Sequence, residues 1–308
     1  MPTLDYKKKE KKLKLITKDK KPRRRAKSIY VGVEVEFYAP DINMAKIEEL
    51  LILHNLTGYV TLKQDGSIHP PTMSCDDCPV RECEQDELCC YKPAEITILA
   101  SEQKFKRIME RVDNVFKELR AEVNDSCGLH VHLDMRHRDE NKAIFNLTQA
   151  QSLLYAMVPE NRRDNKFCKE LPVLNNKAEA YAIYKHLTER EQRYYGINTK
   201  ALYKYGTIEC RIHSGTVEYK KIVNWVSLLI KIVDAESKEY LPVTIQELRY
   251  LWNLPKKLAE YVTERVKKFS RRSAWLNAPA PGKVPSWAAP IPIQSSINSN
   301  TSDEAIPF

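Results

Sequence analysis

The chain has 308 residues, of which 43% are hydrophobic and 30% charged, the balance of a soluble globular protein large enough to bury a full core. No stretch approaches the roughly 20 apolar residues that span a bilayer, and the lysine-rich N-terminus has no apolar secretion signal, so a cytoplasmic location without a membrane role is expected. The net charge of +9 is local: residues 1–28 hold thirteen Lys/Arg against three Asp/Glu, a net of +10 that leaves −1 for the remainder.

Residues 1–28, with the run Lys20-Lys21-Pro22-Arg23-Arg24-Arg25, read as a basic disordered arm. It is a solvated tail in the plain reading, and one that phosphates of a nucleic acid, anionic lipid or an acidic partner could attract. From Ser28 to Tyr38, Val31, Val33, Val35 and Phe37 alternate with Gly32, Glu34 and Glu36, the period of a half-buried strand. Residues 43–55 read as an amphipathic helix, Tyr59–Lys63 as a short strand and Asp65-Gly66-Ser67 as a turn. Residues 69–92 form a cysteine-rich insert. There Cys75, Cys78, Cys83, Cys89 and Cys90 suit one structural zinc held by the first three and one of the last two, or else remain free thiols or pair as disulfides. Strand character returns over Glu95–Leu99, followed by a long charged helix over 101–122 and a strand at His130–Leu133. A helix-rich middle spans 146–190, then come a strand around Thr207–Ile212, a helix over 218–239 and helical sequence to about 270. Six of the seventeen prolines fall between Pro279 and Pro307, so 271–308 reads as a Pro-rich disordered tail. Strands and helices interleave without a βαβ rhythm, which predicts an α+β domain over 29–270 with an antiparallel or mixed sheet.

Only eight glycines are present, and none builds a P-loop or dinucleotide fingerprint. A nucleotide bound here would have to be held through metal and arginine. Glu34 and Glu36 lie two apart on one strand face and repel unless a cation sits between them, although the same spacing also describes the solvent face of an amphipathic strand. In Gly128-Leu129-His130-Val131-His132, the two histidines share a face and can converge on one metal or divide between metal and phosphate. In Gly206–Gly215, Glu209 and Arg211 set a carboxylate beside a guanidinium, and an ion pair alone would explain both. The remaining thiols, Cys127, Cys168 and Cys210, read as packing residues rather than nucleophiles.

The order of these segments is a paired-glutamate strand, a DGS turn, a strand with Glu95, a GxHxH strand and an ExR strand. It resembles the glutamine synthetase-like carboxylate–amine ligases, most closely the amidoligase family related to γ-glutamylcysteine synthetases, over roughly residues 29–235. The resemblance implies a curved sheet of glutamine synthetase-like type whose inner face holds magnesium or manganese and the phosphates of ATP. It implies that Glu34, Glu36, Glu95, His130 and Glu209 are metal ligands. It further implies that His130, His132, Arg211 and Asn198 contact the nucleotide, with Arg211 and Arg193 as catalytic arginines. The implied activity is ATP-dependent amide formation between a carboxylate and an amine through an acyl phosphate, with an amino acid, a peptide or a protein side chain as substrate. Two other readings of the residues are a metal-dependent hydrolase using the GLHVH strand, and a non-enzymatic nucleic-acid- or partner-binding protein using the basic arm.

Overall fold

The structure is a computed structural model that describes residues 28–40, 44–71, 91–163, 165–171, 193–236, 249 and 252–269. The basic arm, the Pro-rich tail, the five cysteines from Cys75 to Cys90 and the second half of the expected helical middle lie outside the described residues. In chain order the elements are β1 (Tyr30–Pro40), α1 (Met44–Leu53), β2 (Val60–Gln64), β3 (Tyr91–Ser101), α2 (Glu102–Leu119), β4 (Gly128–Asp134), α3 (Glu140–Ala156), α4 (Glu160–Arg163), β5 (Ile197–Asn198), α5 (Lys200–Tyr205), β6 (Thr207–Ser214), α6 (Tyr219–Asp234) and α7 (Lys256–Phe269).

The six strands form one open sheet in the order β2-β3-β1-β4-β6-β5, with every strand pair antiparallel. This is the expected α+β class. Strand alternation sorts the side chains: Val31, Val33, Val35 and Phe37 of β1, Ile96 and Ile98 of β3, Leu129, Val131 and Leu133 of β4, and Ile208 and Cys210 of β6 all enter one buried core. The helices close that face. In α2, Phe105, Ile108, Met109, Val112, Val115, Phe116 and Leu119 recur at helical spacing and are all buried, each contributing about 1.5–3 kcal/mol of transfer free energy. The helix stops at Arg120, whose left-handed φ of 53° turns the chain away. Helix α3 starts at Glu140, earlier than the sequence indicates, because the Asp139 side chain caps it by accepting from the Lys142 N–H at 2.9 Å. Asn146 Nδ2 then donates to the Ile232 and Ala235 carbonyls, which ties α3 to the end of α6. Short α5 and β5 were not legible in the periodicity, being too brief to show one. No helix among the described residues is long and apolar enough to cross a membrane.

The pairing of β4 with β6 contains one irregularity. Leu129 faces His213 and Val131 faces Cys210, so two residues of β6, Arg211 and Ile212, stand opposite the single His130. This β-bulge resets the alternation. His213 therefore points into the core beside Trp225, ring centroids 4.8 Å apart, rather than following Glu209 onto the opposite face.

Candidate functional site

The face of the sheet away from the core carries Glu34 and Glu36 of β1, and strand register sets their neighbours. Glu36 lies opposite Glu95 and Glu34 opposite Thr97 on β3. On the other side Glu34 lies opposite His130 and Gly32 opposite His132. His132 in turn faces Glu209, and Glu209 faces Asn198. Residues distant in sequence thus form one contiguous polar surface, of which Glu36, Glu95, His130, Asn198 and Glu209 are buried.

His130 is its hub. Its Nδ1 lies 3.3 Å from Glu34 Oε2, 3.7 Å from Glu36 Oε1 and 3.8 Å from Glu209 Oε1. His132 Nε2 is 3.5 Å from Glu34 Oε1, while its Nδ1 sits 3.0 Å from the Thr207 hydroxyl, which fixes the ring. Glu36 accepts the Gly128 N–H at 2.6 Å. A methyl group at Gly128 would stand 2.7 Å from His130 Nε2 and 3.2 Å from Glu36 Oε2, so the absence of a side chain lets both groups seat. Glu209 accepts from Arg211 Nη1 and from Asn198 Nδ2, both at 2.6 Å. Arg211 Nε is buried without a hydrogen-bond partner among the described residues.

A second cluster forms at the β2 side. Glu95 Oε1 is 2.9 Å from Lys63 Nζ and 3.1 Å from the Thr97 hydroxyl. Asp65, in the turn after β2, joins it: ligand oxygens of Glu36, Asp65 and Glu95 lie within 4.8 Å of one another, as do ligand atoms of Glu34, His132 and Glu209. In the sequence Asp65 reads as a turn residue only. The signal available was its place in a DGS turn between two acidic strands, but only the β2–β3 pairing reveals the approach. Arg193 is not drawn in. It is exposed and stacks on Tyr194 at 4.9 Å.

The electrostatics follow from crowding. Burial favours the neutral form of Glu34, yet hydrogen bonds from His130 and His132 and their charge outweigh it and hold its pKa far below the usual carboxylate range. His132 responds in kind: burial opposes its charge, but Glu34 and Glu209 raise its pKa above 6.5. For Glu95, burial comes first and the Glu34 charge adds to it, raising its pKa despite the Lys63 hydrogen bond. Lys63 is raised by that same bond. The three thiols Cys127, Cys168 and Cys210 are buried, and burial pushes Cys210 up to about 12, which suits packing and not nucleophilic attack.

This donor set fits hard divalent cations. Five carboxylates converge, Lys63 and Arg211 are the only permanently charged side chains paired with them among the described residues, and the ligand atoms fall into two groups of mainly carboxylate oxygen. A search of curated proteins returns no match. The family described as "Putative amidoligase enzyme" matches residues 27–233, from just before β1 into the last turn of α6 and across every strand of the sheet, and the chain belongs to that family of ligase-type enzymes.

Proposed function

We propose that this amidoligase joins a carboxylate to an amine at the expense of ATP, on a sheet of glutamine synthetase-like type. The observation that carries the reading is the pair of ligand groups on one sheet face, Glu34/His132/Glu209 and Glu36/Asp65/Glu95, with Arg211 paired to Glu209. A carboxylate is a poor electrophile, so amide formation requires one of its oxygens to become a leaving group. Transfer of the γ-phosphoryl group of ATP to the substrate carboxylate oxygen releases ADP and gives an acyl phosphate. The amine nitrogen then attacks the acyl carbon, phosphate departs with the bonding electron pair, and the nitrogen sheds its proton.

Both steps concentrate negative charge, so neutralisation and positioning dominate. Magnesium or manganese, when bound by the two groups, would screen the phosphoryl oxygens. The protein's own contribution is to hold that geometry. His130 and the Gly128 N–H orient Glu36 and Glu34, Thr207 orients His132, and Asn198 orients Glu209. Arg211, partly exposed beside Glu209, would meet phosphoryl oxygen through its guanidinium. Zinc at Cys75, Cys78, Cys83 and Cys89 or Cys90 belongs to the same reading as a staple for the insert, checked by metal analysis of purified protein.

The decisive experiment measures Mg²⁺-dependent ADP release across paired amino acids and short peptides, with mass spectrometry of the condensed product. Release that needs both a carboxylate and an amine supports the ligase. Metal-dependent bond cleavage with no ATP consumed would reject it in favour of a hydrolase.

A further inference from the structure

Of the six residues in the two ligand groups, five sit on strands and take their places from sheet register. Asp65 does not. It lies just past β2, a five-residue strand at the edge of the sheet, so the sheet alone leaves its position open. Resting on the ligase reading, we propose that Asn124 and Ser126, in the loop that leads into β4, are positioning residues that hold Asp65 in the group with Glu36 and Glu95.

Their side chains close on the main chain of His69. The His69 N–H donates to Ser126 Oγ at 3.0 Å, and the His69 carbonyl accepts from Asn124 Nδ2 at 2.7 Å. Two side chains thus supply the acceptor and donor that a neighbouring strand supplies in a ladder. They are preset for it. Asn124 Oδ1 accepts from the N–H and the hydroxyl of Ser126, at 3.0 and 2.6 Å, which turns the amide nitrogen toward His69. An amide can fill both roles, whereas a carboxylate has no proton to donate. Ile68, clustered with Tyr38 and Cys127, adds an apolar anchor. From there back to Asp65 the turn is closed on itself. The Ile68 N–H donates to the Asp65 carbonyl at 3.3 Å, and the Ser67 N–H and hydroxyl both donate to Asp65 Oδ1, at 2.9 and 2.7 Å. Fixing His69 therefore fixes the Asp65 carboxylate.

The loop that bears the clamp is itself held by main-chain bonds. The Asn124 carbonyl accepts the Cys127 N–H at 3.1 Å, and the Cys127 carbonyl accepts the Gly215 N–H at 2.8 Å. The next residue, Gly128, donates to Glu36, so Asp65 and Glu36 are located from one anchor. Glu95 is set opposite Glu36 by the β1–β3 register. Glu34, His132 and Glu209 take their places from the pairing of β1, β4 and β6. Loss of the clamp should loosen one ligand group and spare the other.

Titration of the full-length, metal-free protein with Mn²⁺, followed by the electron paramagnetic resonance signal of the free ion, reads the two groups as two bound ions. Asp65→Asn marks the ion that belongs with Glu36 and Glu95. Asn124→Ala and Ser126→Ala should weaken that same ion about tenfold and leave the other unchanged. Ser126→Thr, which keeps the hydroxyl, should bind both ions as the parent does. Asn124→Ala added to Asp65→Asn should cost little more than Asp65→Asn alone, because the side-chain clamp acts through Asp65. Ser126→Ala, which removes a single side-chain oxygen, decides the matter should Asn124→Ala fail to fold. Equal weakening of both ions, no weakening of either, full additivity with Asp65→Asn, or a Ser126→Thr as weak as Ser126→Ala would overturn the inference while leaving the ligase standing. Wild-type protein that binds fewer than two Mn²⁺ would remove the pair of ligand groups on which the ligase reading rests, and the inference with it.

Discussion

Four carboxylates on neighbouring strands and Asp65 in the turn after β2 repel one another, and each is kept in place by a specific donor. Glu209 is gripped on both oxygens by Arg211 and Asn198, and Glu34 by the two histidines. Replacing either with the isosteric amide keeps shape and removes charge. Glu34→Gln and Glu209→Gln should therefore lower ADP release about a hundredfold or more, in line with the loss of one electrostatic contact to a charged transition state. Their circular dichroism should remain that of the parent, and wild-type-like ATP consumption by both would refute the assignment. Gly128 tests the same arrangement without touching a ligand. Its added methyl would displace the His130 ring or the Glu36 carboxylate. Gly128→Ala should thus weaken Mn²⁺ binding about tenfold or more in a protein that still folds, as read by calorimetry.

At the scale of the element, the bulge in β6 decides which residues are functional. Arg162, buried in α4, donates to the carbonyls of Arg211 and Ile212 at 2.7 and 3.4 Å and so braces the two residues that bulge. Without the bulge, strict alternation would put His213 beside Arg211 on the site face. With it, His213 is enclosed, its Nδ1 2.6 Å from the Ser214 carbonyl and its Nε2 without a partner among the described residues. Burial, aided by the charges of Arg265, Arg162 and Lys221, pushes its pKa down to about 3. The unfolded chain takes up this proton near pH 6.5 and the folded chain does not. Stability is therefore lost as pH falls from about 6.5 toward 3, by about 1.4 kcal/mol per pH unit at the steepest. His132 works in the opposite sense and in another window, since its raised pKa gives a contribution present below 6.5 and lost as pH rises through the folded value. Urea midpoints of metal-free protein should fall between pH 6.5 and 5, and fall less in His213→Gln. Equal slopes in the two proteins would rule out His213 as the source.

The same bulge marks where sequence ceases to suffice. The alternation in β1, β4 and β6 put Glu34 with Glu36, His130 with His132 and Glu209 with Arg211, because period two is a local property of the chain. That these three strands lie side by side, that Asp65 reaches Glu36 and Glu95, and that Arg193 faces Tyr194 instead of the carboxylates all depend on register and loop path. No single segment encodes those. Arg162 looked like any charged residue in a helical stretch, and only its burial against β6 carbonyls distinguishes it.

Across the molecule, metal binding at the proposed site would be coupled to folding. Burial and the Glu34 charge oppose ionisation of Glu95, and a divalent ion held by the two proposed ligand groups would relieve it only in the folded state, since the groups assemble through strands far apart in sequence. Linkage then demands stabilisation. At a free metal concentration one hundredfold above Kd, one site contributes about 2.7 kcal/mol, and a domain of this size shifts by about 2–4 °C for each kcal/mol. Saturating Mn²⁺ or Mg²⁺ should raise the melting temperature by about 5–10 °C over protein in chelator. These ions favour oxygen over sulfur ligands, so the cysteines between Cys75 and Cys90 should not mimic the effect. The double variant Glu34→Gln/Glu36→Gln removes one carboxylate from each group. It should melt lower than wild type in chelator, since Glu34 loses its pairing with His130 and His132, and should gain little from either ion. A double variant that still gains the full increment would place the stabilising ion elsewhere on the protein.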